Sequence, residues 1–216
     1  MIKRHKVTLI ITTIIMLLPM VIGAIVWNKL PDQVPMHWNA AGKVDGWGSK
    51  GMLVFFLPLF MVGLQWVCAL AVSLAPESKG IKGKILQLTL WIGPFMSLLI
   101  HTLVYVKILG YDLAVNVIMQ LTLGLIFMVI GNLLPKCKRN YIVGIKVPWT
   151  LNDDENWNKT HRFSGKLWVV GGAVMAATAV FGNFIVVFSI AMLMVIVPTI
   201  YSYMYSRRSK KNESVD

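Results

Sequence analysis

The chain has 216 residues, of which 56% are hydrophobic and 14% charged, and its formal net charge is +12. A soluble domain carries about 25% charged residues, so this composition excludes an ordinary soluble enzyme and indicates a protein of the lipid bilayer. The basic residues flank apolar stretches, where they face anionic lipid, and this placement argues against direct nucleic-acid binding.

Apolar stretches follow one another along the chain, and the first four are each close to the ~20 residues that a helix needs to cross the hydrocarbon core. The last tract, 167–205, is too long for one span, and the sequence Phe181-Gly182-Asn183 offers a turn that divides it. We therefore predict an all-α, polytopic membrane protein with about six transmembrane helices. The predicted single membrane domain covers 1–216, with spans at 7–27, 52–75, 85–106, 114–134, 164–182 and 184–205.

The positions of Lys and Arg predict the orientation of these spans. With the N-terminus in the cytoplasm, the outside segments hold only four of the 21 basic residues, and the cytoplasmic segments hold the other 17. This asymmetry obeys the positive-inside rule. It predicts that both termini are cytoplasmic, that 28–51 is an extracellular loop, and that 135–163 is a cytoplasmic loop.

The predicted spans contain no Asp or Glu, although the chain has nine acidic residues. Ion-coupled transporters place carboxylates within the bilayer, so this class is disfavoured. Gln65 lies near mid-membrane and is interpreted as an interhelical hydrogen-bonding residue. Cys68 and Cys137 are expected at different depths, and the sequence has no Cys/His cluster. We therefore expect no metal site, no cofactor and no catalytic residue.

The predicted extracellular loop is rich in turn-forming residues and also carries aromatic side chains. It is expected to fold into a compact cap that presents these aromatic side chains to a ligand. The alternative is a structured linker whose tryptophans lie at the headgroup level. The candidate ligand-binding residues are His37, Trp38, Asn39, Gly42, Asp45 and Trp47.

The predicted cytoplasmic loop contains a helix start. Thr150 with Asp153 resembles a capping box, after which a helix is expected to run through Trp157 and His161 into the fifth span. This segment is interpreted as a partner-binding or catalytic surface, and the alternative is an amphipathic helix in the membrane interface. The candidate functional residues are Asn140, Lys146, Pro148, Trp149, Thr150, Asp154, Trp157, Thr160, His161 and Arg162.

Both loops resemble known sequence signatures. The segment VPMHWNAAGKVDGWGSK resembles the element P-x-H-W-N-x-x-G-x-x-D of a bacterial membrane family. The second loop is similar to the C-terminal signature of the SdpI family, in which G-N is followed by K-x-N, by G-I-[RK]-x-P-W-T, and by W-x-x-T-H-R with a glycine. Lys146 stands where arginine is common. The matching residues are Gly131, Asn132, Lys138, Asn140, Gly144, Ile145, Lys146, Pro148, Trp149, Thr150, Trp157, Thr160, His161, Arg162 and Gly165.

The resemblance implies a multi-pass immunity protein in the plasma membrane of a Gram-positive bacterium. It implies resistance to a secreted antimicrobial peptide toxin, and a signalling role in which a cytoplasmic autorepressor docks on the protein. One alternative is an enzyme at the cytoplasmic interface that uses Asp154, His161 and Arg162 as acid, base and anion binder. Another is a small transporter component. We favour a non-enzymatic function, because the sequence shows no nucleophile or metal triad, and we leave the oligomeric state open.

Overall fold

The computed structural model describes residues 2–74 and 84–213, and in these ranges the chain forms seven α-helices and one β-hairpin. Long helices are expected in hydrocarbon, because every backbone N–H and C=O group must be paired there. The predicted all-α polytopic architecture is confirmed, and the hairpin is an addition to it. The helices are α1 (Lys6–Ile25), α2 (Leu57–Leu74), α3 (Lys84–Ile108), α4 (Val115–Leu133), α5 (Pro148–Leu151), α6 (Asp154–Ala177) and α7 (Phe184–Glu213).

Five helical stretches within the described ranges are long and apolar enough to cross a membrane, so the chain is a multi-pass membrane protein. The predicted span 164–182 falls on the end of α6 and on the turn Ala179–Phe181. Helix α6 is not among the five, because its first half is polar and charged. A sixth crossing and the cytoplasmic position of both termini stay predictions. The five stretches are Lys6–Ile25, Met52–Leu74, Ile85–Ile108, Val115–Lys136 and Phe184–Ser209.

The predicted extracellular loop contains two antiparallel strands, β1 (Gln33–Trp38) and β2 (Val44–Ser49). The pairing runs from Gln33 opposite Ser49 to Trp38 opposite Val44, with irregular register around His37. A wide helical turn, Met52–Phe56, then leads into α2. Residue 75, at the end of the predicted span 52–75, lies outside the described residues.

The contacts within the described residues form two compact units. The single membrane domain over 1–216 stays a prediction. Unit 1 comprises residues 2–74 and 84–115, with α1, the hairpin, α2 and α3. Unit 2 comprises residues 116–213, with α4 to α7. Each unit is held mainly by contacts among its own helices and is described by itself.

Helices α4 and α6 of unit 2 are in backbone contact through two glycine pairs. A Cβ atom added at Gly172 would lie 2.5 Å from the carbonyl oxygen of Gly124, and one at Gly165 would lie 2.7 Å from that of Gly131. The two glycines on each helix are seven residues apart, so both contacts fall on one face of that helix. Small residues of this kind allow membrane helices to approach closely and gain van der Waals contact.

Candidate functional site

The inward face of the hairpin anchors it to the helices of unit 1. Val34 is fully buried with Leu53 and Val104, and the partly buried Met36 and Trp38 pack against this cluster. Burial of these apolar side chains stabilises the contact between the hairpin and the helices through the hydrophobic effect. Trp38, a candidate ligand-binding residue, is therefore part of the packing that holds the hairpin.

The outward face of the hairpin, defined here as His37, Asp45 and Trp47, carries three of the six candidate residues. The His37 and Asp45 side chains are 71% and 42% exposed, and Nδ1 of His37 lies 2.5 Å from Oδ1 of Asp45. Trp47 is 60% exposed. A large apolar ring beside a polar pair can bind a partner through both apolar area and hydrogen bonds.

Asn39 and Gly42 shape the turn between the strands. The Oδ1 atom of Asn39 accepts hydrogen bonds from the backbone N–H groups of Ala41 at 3.0 Å and Lys43 at 3.1 Å. Gly42 has φ of +75°, a left-handed conformation that glycine adopts without steric cost. These two candidate residues position the outward face.

A pair at the base of the hairpin was not among the candidates. Lys50 Nζ lies 3.0 Å from Asp32 Oδ1 and 4.9 Å from the ring centroid of Trp27, a cation–π distance. The register that pairs Gln33 with Ser49 also brings Asp32 and Lys50 together. Assigning 33–49 as a hairpin from the sequence would have revealed this ion pair.

In unit 2, the loop before α5 is fastened to α6 by Trp157 and His161. Trp157 is fully buried, and its Nε1–H donates to the Cys137 carbonyl at 2.8 Å. The Ile145 N–H donates to Nε2 of His161 at 3.1 Å. The two rings stack with centroids 3.9 Å apart. These two side chains therefore form a clasp, defined as Trp157 and His161 with their loop partners.

The contacts of His161 define its protonation state. Since Nε2 accepts from Ile145, the ring proton is on Nδ1, which donates to the Trp157 carbonyl at 2.8 Å. Burial lowers the pKa of His161 below the ordinary value of 6.5, and the hydrogen bond to Trp157 opposes this effect. His161 is therefore neutral, and neither ring nitrogen is free to transfer a proton to a substrate.

Gly144 allows the clasp to close. Its φ is +126°, and an added Cβ atom would clash with Nε2 of His161 and would lie 2.9 Å from the Trp157 ring. Only glycine satisfies both the backbone conformation and the available space.

Asn140 and Thr150 organise the backbone on either side of Gly144. Oδ1 of Asn140 accepts from the Val143 N–H at 2.7 Å, and its Nδ2 donates to the Lys138 carbonyl at 2.8 Å. The Thr150 hydroxyl donates to the Ile145 carbonyl at 2.7 Å. Both side chains are buried, so these two candidates act on the loop itself.

The predicted capping box of Thr150 and Asp153 is wrong. The Asp153 side chain is itself the N-cap of α6 and accepts from the N–H groups of Glu155 at 2.8 Å and Asn156 at 3.0 Å. Thr150 belongs to the short helix α5 that precedes it. Asp153 is the better N-cap because its carboxylate accepts hydrogen bonds from two backbone N–H groups. Its negative charge also interacts favourably with the positive end of the helix dipole.

A second set of polar contacts joins α6 to α7. Nδ2 of Asn156 donates to the Ser202 carbonyl at 3.0 Å, and the Thr160 hydroxyl donates to Oδ1 of Asn156 at 2.9 Å. Trp149 Nε1–H donates to the Ser202 hydroxyl at 2.8 Å. Neither Asn156 nor Ser202 was a candidate, because the contact joins residues far apart in sequence.

The remaining candidates are exposed. Lys146, Pro148 and Arg162 lie on the surface, and the exposed Asp154 pairs with Arg139, whose Nε lies 2.7 Å from Asp154 Oδ1. Arg139 was not predicted, because its partner is fixed only by the folded loop. With His161 buried and Asp154 paired to Arg139, the acid, base and anion binder of the enzyme alternative do not converge on one accessible site.

Two family models match the chain. Residues 136–202 match the SdpI/YfhL protein family, and residues 14–62 match a domain of unknown function, DUF1648. The first match includes the clasp and its loop, and the second includes the hairpin. The predicted resemblance to the SdpI family is confirmed.

The chain is also similar to the immunity protein SdpI of Bacillus subtilis (strain 168). The two are 26% identical over 207 residues, which cover 92% of this chain and 96% of the relative. No solved structure matches the chain.

Proposed function

We propose that this chain is a membrane immunity protein that protects a bacterium from a secreted antimicrobial peptide toxin, because residues 136–202 match the SdpI/YfhL protein family. The Bacillus subtilis relative, aligned over 92% of the chain, is named an immunity protein. The toxin contact is the outward face of the hairpin. The observation that carries this assignment is the exposure of His37, Asp45 and Trp47 on a hairpin whose other face is packed on helices.

The test is protection of a sensitive Gram-positive host that lacks its own immunity genes. Cells that express the chain are challenged with the toxin against which the Bacillus subtilis relative confers immunity, and a potential-sensitive dye reports depolarisation. Wild-type cells should keep their membrane potential. Trp47→Ala and His37→Gln should each lose protection at unchanged protein level, because both remove contacts without touching the core of the hairpin. Trp91→Ala, which removes an exposed tryptophan of α3 (43% exposed), should keep it.

Two results would contradict different parts of this proposal, the identity of the toxin and the position of its contact. Depolarisation of cells with confirmed wild-type expression would remove this toxin as the target. Protection that survives both hairpin substitutions would place the toxin contact away from the outward face.

We further propose that the exposed residues Lys146, Pro148 and Arg162 dock a cytoplasmic autorepressor. Two exposed cations suit an acidic partner surface. Arg162→Glu should abolish toxin-induced transcription from the chain's own promoter while leaving protection from the toxin unchanged. Arg208→Glu makes the same charge change at an exposed position of α7 and should alter neither transcription nor protection. Induction that persists in the Arg162 variant would contradict the docking surface.

A further inference from the structure

Unit 1 contains a cleft of about 160 Å³ between α2 and α3. Its walls are apolar apart from a few side chains, chiefly Gln65 and Thr89. A cavity of about 150 Å³ holds a benzene-sized group. The cleft therefore has room for a single side chain and is smaller than the ~300–1,000 Å³ of a small-molecule pocket.

A hydrogen-bond relay fixes the orientation of Gln65. The Thr12 hydroxyl donates its only proton to the Leu9 carbonyl at 3.1 Å, so it can only accept from Gln65, whose Nε2 donates to it at 2.7 Å. The amide nitrogen is thus held on α1. The other amide atom, Oε1, is buried and has no hydrogen-bond partner among the described residues.

Residue 93, which lines the cleft near Oε1, is a glycine. A Cβ atom added at Gly93 would lie 3.7 Å from Oε1 of Gln65 and 3.7 Å from the sulfur of Met16, which is ordinary contact. An alanine methyl group at residue 93 would therefore fit against the unpaired oxygen without a clash. An acceptor without a donor in an apolar setting costs free energy, which a ligand with a donor would recover.

The depth of Gln65 restricts the ligand. It lies near the middle of the candidate span Met52–Leu74, whereas phospholipids carry their polar groups outside the ~30 Å hydrocarbon core. A donor at mid-depth must come from a membrane-inserted chain with a polar side chain. Serine and threonine hydroxyls serve this role between transmembrane helices.

We propose that this cleft binds an apolar transmembrane peptide helix, taking one of its side chains between α2 and α3 and accepting a hydrogen bond from its hydroxyl group at Gln65. Under the proposed function, the natural occupant is the membrane-inserted part of the toxin. The inference rests on that function for the identity of the occupant only.

The test uses the full chain in phosphatidylcholine nanodiscs and a synthetic probe. The probe is a lysine-flanked leucine–alanine helix with a single central serine, labelled for energy transfer to the protein, and its matched control has alanine in place of serine. The serine peptide should bind about three- to tenfold more tightly, the usual strength of one interhelical hydrogen bond. Gln65→Leu should abolish this difference, because it removes the acceptor.

Two glycine variants test the space in the cleft and leave the Gln65 side chain unchanged. Gly93→Ala fills the volume beside Oε1 and should weaken binding of the serine peptide. Gly63→Ala, on α2 with open space around its Cβ position, should not. Equal binding of the two peptides to the wild-type chain, or a serine preference that persists in Gln65→Leu, would overturn the inference. Neither result depends on toxin protection, so failure of this site and failure of the proposed function are distinguishable.

Discussion

Gly144 illustrates how a single residue decides whether a loop can be fastened to a helix. The loop approaches α6 closely enough for the Ile145 N–H to reach His161, and it does so with a left-handed backbone at Gly144. Any side chain at this position would meet the two rings of the clasp. Glycine is therefore needed at this position both for the left-handed backbone and because it has no side chain.

Gly144→Ala should destabilise the protein by about 1–3 kcal/mol, because it combines backbone strain with a steric clash. Thermal unfolding of the detergent-solubilised protein, followed by tryptophan fluorescence, measures the effect. Gly63→Ala is the matched control and should be neutral or slightly stabilising, since it improves helix propensity without a clash. An unchanged unfolding temperature for Gly144→Ala would mean that the clasp does not form.

His161 should make stability depend on pH. Its pKa is lowered by burial in the folded protein, so the unfolded chain binds a proton more readily. The contribution is fully present above the ordinary pKa of 6.5 and is lost as the pH falls from 6.5 through the lower pKa of the folded state. Protonation would also replace the acceptor at Nε2 with a donor that faces the Ile145 N–H.

Unfolding measured from pH 8 to pH 5 in the wild type and in His161→Gln tests this expectation. The glutamine variant should be less stable near pH 8 and should lose less stability on acidification. Identical slopes in wild type and His161→Gln would contradict a buried neutral imidazole.

At the scale of elements, the structure forms a β-hairpin in a loop that the sequence marks only as rich in turn formers. Residues 44 to 49 alternate between partly buried and exposed, as strand geometry requires. The prediction recognised the turn formers, but the sequence of residues 44–49, VDGWGS, does not alternate between apolar and polar types and so gives no strand signal. The capping prediction failed for a related reason, since two neighbouring polar residues could each start a helix and only the folded chain selects between them.

The packing of α4 on α6 gives a test at this scale. Gly172→Ala should destabilise unit 2 by about 1–3 kcal/mol, because its Cβ atom would meet the backbone of α4, which cannot move aside. The neighbouring Gly171→Ala should cost less, since its Cβ atom would meet the flexible end of the Met194 side chain at 2.9 Å. Thermal unfolding of both variants checks the order, and a larger loss for Gly171→Ala would contradict the backbone contact.

For the whole molecule, the sequence asymmetry of charge predicts the orientation in the membrane. Three apolar helices, α2 to α4, separate the hairpin from the loop 135–163, so the two should face opposite sides of the membrane. The position of the C-terminal segment depends on α6. If α6 crosses, the end of α7 is on the same side as the loop.

Single cysteines introduced into a Cys68→Ser, Cys137→Ser background test this topology. A membrane-impermeant maleimide applied to intact cells should label Ala40→Cys in the hairpin turn. It should label Asn158→Cys and Ser209→Cys only after permeabilisation. Labelling of Ser209→Cys in intact cells, with Asn158→Cys protected, would mean that α6 does not cross and that the chain has five spans.

The sequence by itself determined the membrane class, the positions of the apolar helices and the family resemblance. These properties are local, because hydropathy and length are read along one segment and a signature is read along one loop. The helix through Trp157 and His161 was also predictable.

Only the tertiary structure decided what each candidate residue does. Trp38 packs inward and Trp47 lies outward, and this depends on strand register. Trp157 and His161 are buried because a loop folds over them, with Ile145 reaching a residue 16 positions away. Trp149 bonds to Ser202, 53 residues along the chain. Such contacts depend on how separate segments pack, and composition and periodicity carry no record of which distant partner a side chain will meet.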